Sequence, residues 1–223
     1  SAGTECVLYR LGDDLVIRLP RRPGESLDAI LTQGVLSRLA PFLPVPVPVL
    51  IAEGASTAQY PASWGVLRWL DGDTPVEGHL AEPALLAADL AGFLGALWKV
   101  DLSEAARLPP WDGPETWIHA DMMPGNVVIR NGRLAGVIDF GAAGPGDPSQ
   151  DLIVAWMLLP ASIRPAFRRA TGADDATWLR RRARALSMAL GHLDYYSDRS
   201  PVLADNARYT IGEVLADYYG ISD

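Results

Sequence analysis

Apolar and polar positions change rhythm along this 223-residue chain. The front stretch CVLYRLGDDLVIRLP holds two apolar runs around Gly12-Asp13-Asp14, the mark of a hairpin, and Pro20 and Pro23 end it. Over 25–39, Leu27, Ile30, Leu31, Val35 and Leu39 recur at helical spacing. Proline removes backbone donors and fixes φ, so APFLPVPVPVLIAEG predicts an extended link into a strand. WGVLRWL predicts a further strand, and DGDTP breaks the chain. The texture then turns helical. Leu86, Leu90, Phe93, Leu94 and Leu97 share one helical face within 82–100, and almost everything after DPSQDLIVAWMLL is helical. In WLRRRARA and beyond, Trp178, Leu179, Ala183, Leu186 and Leu190 have helical spacing, which predicts arginines on the wet side. The pattern predicts an α+β fold: a small β-rich N-terminal lobe over 1–70, a hinge at 71–75, and a larger, mainly helical lobe over 76–223.

One stretch, WIHADMMPGNVVIRNGRLAGVIDFG, sets a His, two Asp and an Asn among apolar runs. Asn131-Gly132 signals a type I′ hairpin turn, which needs φ > 0 at both central residues. Counting outward from that turn puts Arg130 opposite Arg133, Ile129 opposite Leu134, and Asn126 opposite Val137. Asn126 and Asp139 then become diagonal neighbours on one face, ~7–8 Å apart at the backbone. A carboxylate and an amide oxygen without thiols suit a hard ion such as Mg²⁺, which keeps waters and borrows phosphate oxygens. Asp121 enters the same end of the hairpin, where a carboxylate can take a proton from an attacking hydroxyl. His119 is expected to brace the loop.

Composition narrows the function. The net charge is −8, which argues against a nucleic-acid partner and is compatible with a cationic small molecule. No stretch approaches the ~18 apolar residues of a membrane span. SAGTECVLYR lacks the basic and apolar regions of a secretory leader. Cys6 is the only cysteine, so no intrachain disulfide is possible; both features lead to an expected cytoplasmic location.

The ordered set His119-Ala120-Asp121, Pro124-Gly125-Asn126, Ile138-Asp139-Phe140-Gly141, Gly146-Asp147-Pro148 and Asp151-Leu152 resembles the aminoglycoside phosphotransferase family. That family has a protein-kinase-like fold. The resemblance implies that Asp121 is the catalytic base and that Asn126 and Asp139 hold Mg²⁺ on the nucleotide phosphates. It implies that Arg18 touches phosphate, and that Gly3 and Thr4 begin the hairpin covering the phosphates. The base of ATP or GTP would lie against Arg68, Trp69 and Leu70. Asp147 and Asp151 would be structural acids.

Four departures stand out: Ala120 replaces a Gly, and Arg18 stands where a Lys is common. No Glu occupies the helix slot near LTQG that would pair with Arg18, although Glu25 or Asp28 lies a turn earlier. Finally, only EAARLPPWDGPET stands where the family carries a helical insertion that forms the substrate wall.

The function expected is a small-molecule kinase that phosphorylates a hydroxyl, most simply that of an antibiotic, giving resistance. Among the C-terminal acids Asp194, Asp198, Asp205, Glu213 and Asp217, the first two are the candidates for meeting a polyamine drug. The alternatives are a kinase of a non-antibiotic metabolite and a nucleotide-binding module without useful catalysis. A two-metal hydrolase needs more carboxylates or histidines than this set offers.

Overall fold

The computed structural model describes residues 6–22, 27, 34–76, 79–99 and 116–220. Strands β1 (Cys6–Leu11) and β2 (Leu15–Pro20) form the expected front hairpin, with Gly12 at φ 60° in its turn. With β3 (Leu50–Gly54) and β4 (Trp64–Arg68) they build an antiparallel sheet of order β1-β2-β4-β3. Of the helix expected over 25–39, the structure describes α1 (Val35–Leu39) and a buried Leu27; residues 25–26 and 28–33, with Glu25 and Asp28, lie outside the described residues. Pro41 opens one 3₁₀ turn, Ala40–Phe42, before the extended link.

Helix α2 (Pro83–Leu97) starts with proline where no backbone donor is needed. It buries Leu86, Leu90, Phe93, Leu94 and Leu97, the face that the spacing predicts. The C-terminal part adds α3 (Val154–Met157), α4 (Arg164–Thr171), α5 (Asp175–Tyr196) and α6 (Pro201–Tyr219). Asp174 caps α5 by accepting from Thr177 N–H, and Ser200 caps α6 by accepting from Leu203 N–H. One continuous core runs from Val16 and Leu67 in the sheet to Trp156 and Val214 among these helices.

Helix α5 corrects the expected face. Trp178, Arg181, Ala185 and Ala189 are buried, whereas Leu179 and Leu190 are each 52 % exposed. Close packing explains the choice. Ala185 and Ala189, with Ala204 and Ala207 on α6, are small enough for two helices to approach, and Trp178 stacks 4.6 Å from Trp156. Arg181 is therefore not on the wet side. Burial first, and the Arg184 charge second, push its guanidinium down to about 10; Asp151 and Asp147 oppose that shift.

The central element is the hairpin of β6 (Val127–Arg130) and β7 (Arg133–Val137). Asn131 and Gly132 have φ 53° and 74°, as a type I′ turn requires. The register differs from the simple count: Ile129 faces Leu134, but Val128 faces Gly136 and Val127 faces Val137. Ala135 is the extra residue of a β-bulge, so Asn126 lies opposite Ile138, whose N–H it receives at 2.9 Å. At the bulge, Ile129 exchanges two backbone hydrogen bonds with Asp73, at 2.8 and 2.9 Å. The DGD segment at 71–73 is thereby paired to the hairpin. Gly72 makes the approach possible: it sits at φ 149°, and a Cβ there would lie 2.5 Å from the Ile129 carbonyl oxygen.

Two more ties hold β7. Val137 N–H donates to the Pro46 carbonyl at 3.3 Å. Arg133 grips Asp89 of α2 with two hydrogen bonds of 2.7 and 2.6 Å, and Asp89 also accepts from Leu134 N–H at 3.1 Å. The Arg133 hydrogen bond, opposed by burial, holds the Asp89 carboxyl below the usual carboxylate range.

Gly72→Ala should lower the unfolding free energy by roughly 1–3 kcal/mol, the typical cost of a forced overlap; denaturant titration measures it. The Asp89 clamp has a defined pH window. Its folded value is depressed, so its stabilisation is complete above the unfolded value of about 3.9 and disappears as pH falls through the lower, folded one. Asp89→Ala should melt several degrees below the parent at pH 7, and thermal scans of the two proteins should draw together as the pH falls below the ordinary carboxylate range.

Candidate active site

Strand β5 (Thr116–Ile118) pairs with β8 (Gly144–Gly146), and the loop His119–Met123 leaves from its end. His119 is fully buried. Its Nδ1 accepts from Asp121 N–H at 3.2 Å, which leaves Nε2–H to donate to the Ile138 carbonyl at 2.9 Å. The ring meets Phe140 edge-on at 4.5 Å. His119 thus links the two ends of the constellation. Asp151 is buried beneath the loop and accepts from Ala120 N–H at 2.8 Å, from His119 N–H at 3.1 Å and from Trp98 Nε1–H at 3.0 Å. Burial is the main influence on its carboxyl and pushes it upward. Asp147 caps the 3₁₀ turn Pro148–Ile153 by accepting from Ser149 N–H at 2.9 Å.

Ala120 sits at φ 66°, a left-handed conformation in which a Cβ is unfavourable. This is the position at which the sequence carries Ala in place of Gly. Asp139 is also left-handed, at φ 61°. Backbone held in such regions marks sites where the surroundings dictate the geometry.

Asn126 closes the 3₁₀ turn Pro124–Asn126. Its Nδ2 donates to the Asp121 backbone carbonyl and to Asp121 Oδ2, both at 2.8 Å. The amide nitrogen is thus committed to Asp121, and Oδ1 is the atom left to meet a cation. Asp139 follows Ile138, the residue paired with Asn126, and its carboxylate lies 3.6 Å from Arg18 Nη2 of β2. Arg18 Nε also donates to Cys6 Sγ at 3.2 Å. Asp121 with Asn126 forms one pair and Asp139 with Arg18 another, and the Asn126–Ile138 backbone hydrogen bond lies between them in the chain. Among the described residues no three His, Cys, Asp or Glu side chains gather as a metal cage. One carboxylate and one amide oxygen fit an ion that brings most of its own ligands.

At the end of β4, Arg68 N–H donates to Val49 carbonyl at 3.1 Å and Trp69 N–H to Asp14 carbonyl at 2.7 Å. The Arg10 guanidinium lies 4.1 Å over the Trp69 ring and 3.7 Å from Asp71. Gly3 and Thr4 lie outside the described residues. Asp194 and Asp198 are exposed at the far end of α5, roughly 20 Å along its axis from Arg180, which faces Asp147. The other three acids are engaged: Asp205 with Arg208, Glu213 with Arg164, and Asp217 with Arg182. A cavity of about 620 Å³ lies between α4, the start of α5 and α6, lined by Arg164, Arg168, Arg169, Trp178 and Asp217; of the acids considered for a polyamine, Asp217 borders it.

A sequence model of the phosphotransferase enzyme family matches residues 2–111 and 98–186. The chain belongs to that family. The two matched segments overlap at 98–111. The GDP complex of wild-type aminoglycoside 2′-phosphotransferase-IIIa shares the fold, with TM-score 0.70 and 18 % identity over 98 % of this chain and 91 % of that one. Macrolide 2′-phosphotransferase from Brachybacterium faecium superimposes with TM-score 0.61 and 18 % identity, over 96 % and 93 % of the two chains. Homoserine kinase of Bradyrhizobium sp. (strain ORS 278) is 42 % identical over 60 residues, 27 % of this chain and 19 % of that protein. The chain thus matches about a fifth of that curated relative's length.

The roles of Trp98, Asp89 and Pro46 are not legible in the sequence of this phosphotransferase, because each acts through a contact distant along the chain. Ala120→Gly should keep the loop geometry and raise stability by ~1 kcal/mol by relieving the left-handed Ala; chemical denaturation of both proteins checks this.

Proposed function

We propose that this phosphotransferase moves the γ-phosphoryl of ATP or GTP to a hydroxyl of a small molecule. The observation that carries the reading is the two pairs Asp121–Asn126 and Asp139–Arg18 at one end of the bulged hairpin. In this reading 1–70 is the nucleotide lobe, 71–75 the hinge and 76–223 the catalytic lobe. The base rests against 68–70. Because the Arg68 and Trp69 N–H groups are used within the sheet, base recognition falls to carbonyls and to Leu70.

Asp121 orients the acceptor hydroxyl and takes its proton. Asn126 Nδ2 holds the Asp121 carboxylate in one orientation and leaves Oδ1 for the cation. Asn126 and Asp139 would hold Mg²⁺, which when bound neutralises charge on the phosphates. Arg18 supplies a planar fork for phosphate oxygens. Positioning and charge neutralisation supply most of such catalysis.

The acceptor in this reading is an antibiotic, as in the aminoglycoside and macrolide enzymes of the same fold, and the product is an inactivated drug. A second reading, a hydroxylated metabolite, is favoured by two observations. One is the homoserine kinase match. The other is that three of the five C-terminal acids are engaged by arginines rather than open to a polyamine. The deciding experiment offers ATP and GTP with aminoglycosides, macrolides and hydroxy-amino acids, and reads the acceptors by mass spectrometry for one added phosphate. A nucleotide-binding module without catalysis would bind ATP and add phosphate to none. The protein works in the cytoplasm in this reading; among the described residues no helix is long and apolar enough to cross a membrane.

Asp121→Asn should reduce kcat by ~10²–10⁴-fold and leave nucleotide affinity nearly unchanged. Asp139→Ala should remove more activity than Asn126→Ala, since it deletes the only formal charge of the pair. Titrating Mg²⁺ at saturating nucleotide orders the variants; an Asp139→Ala protein with unaltered Mg²⁺ dependence contradicts the metal site.

A further inference from the structure

The Asp151 carboxylate lies wholly out of solvent beneath the catalytic loop, and three N–H groups converge on it. Two are backbone donors of His119 and Ala120, the residues just before Asp121. The third is Trp98 Nε1–H, which shares Oδ2 with His119. Trp98 stands at the C-terminal cap of α2, on an element otherwise committed to the core. An indole N–H has only one use, to donate. Here it is spent on the one acid that fixes the loop backbone.

Resting on the phosphotransfer reading above, we propose that Trp98 is a positioning residue for Asp121: its N–H orients the Asp151 carboxylate, which in turn orients the His119–Ala120 backbone. Asp121 is two bonds of this relay away, and its own N–H returns to His119 Nδ1. The charge state of Asp151 matters to the relay. An ionised carboxylate accepts from all three donors with charge assistance, whereas a protonated one accepts more weakly and carries an O–H for which the three donors offer no acceptor. Burial already favours the protonated form of Asp151. The groups that face it are the Trp98 indole from α2, His119 at the end of β5 and the Arg181 charge from α5. Of these, Trp98 is the only neutral side chain that hydrogen-bonds the charged form, so its loss should push Asp151 further up. The acid limb of activity then moves to higher pH.

The test compares the parent with Trp98→Phe and with a protein carrying the benzothiophene isostere of tryptophan at position 98, which keeps the volume and lacks only the N–H. Turnover of ATP with water as acceptor, nucleotide affinity, the pH dependence of kcat and amide exchange at 119–120 are measured on each. The inference expects kcat to fall about 10-fold, as for loss of one charge-assisted hydrogen bond. It expects nucleotide affinity within about 2-fold of the parent, an acid limb shifted upward, and faster exchange at 119–120. An isostere protein with parental kcat, pH profile and exchange overturns the inference while the parent's turnover upholds the phosphotransfer reading. Losses of kcat and nucleotide affinity in equal measure, with a uniform rise in exchange over the whole chain, mark a merely structural role and also overturn it. A parent that turns over no nucleotide overturns the phosphotransfer reading and the inference together.

Discussion

A two-stranded hairpin is marginal in water by itself, and the candidate site hangs from one. β6 and β7 hold their place because three partners engage their edges: the Asp73 backbone, the Pro46 carbonyl and the Asp89 carboxylate. Each comes from a different part of the chain. Ile129 turns its N–H and C=O outward to Asp73, and Gly72 lets that backbone approach. With the hairpin fixed, Asn126 and Asp139 stand at its open end, and Asn126 reaches across to Asp121. The loop that carries Asp121 is fixed from below by a second device, the buried Asp151 carboxylate. Hydrogen bonds to charged groups contribute about 1.5–3 kcal/mol each, and a buried acceptor left without its donors costs comparably. Geometry at the site is thus over-determined from two sides.

Local chemistry was readable in the sequence wherever a short rule governs it. Asn131-Gly132 announced the turn because only that kind of dipeptide takes positive φ twice cheaply. The α2 face followed from periodicity, since a helix with one apolar stripe has one way to pack. The family pattern marked Asp121, Asn126 and Asp139; the structure pairs Asn126 with Asp121, and the bulge moves Asp139 off the diagonal that the simple count gave, one residue past the Ile138 that bonds Asn126. Interactions between distant segments were not readable. The bridge from Ile129 reaches Asp73, 56 positions earlier, and nothing within the hairpin forecasts it. On α5 the spacing marked the leucine stripe, and the structure buries a different one, whose alanines allow α6 to approach closely. Leucine spacing alone cannot weigh that contact, and it hid a buried arginine.

The Arg18–Asp139 pair connects the two halves of the site and is built to be exchanged. Its separation is 3.6 Å and the Asp139 side chain is half exposed. Such pairs contribute on the order of 0–1 kcal/mol. A phosphate offers Arg18 a better partner, and a divalent cation offers Asp139 one. Arrival of a metal–nucleotide complex would separate the pair at little cost and seat both residues on the ligand. The strong contacts at Asp151 and Asp89, by contrast, are not exchanged in this scheme.

The central claim is that one cluster serves phosphate, cation and acceptor together. A crystal structure with Mg²⁺ and a non-hydrolysable ATP analogue tests it most directly. The account predicts a cation bound by Asp139 and Asn126 Oδ1, Arg18 moved from Asp139 to a phosphate oxygen, and Asn126 Nδ2 still on Asp121. A nucleotide bound away from this cluster, with the Arg18–Asp139 pair intact, would contradict it.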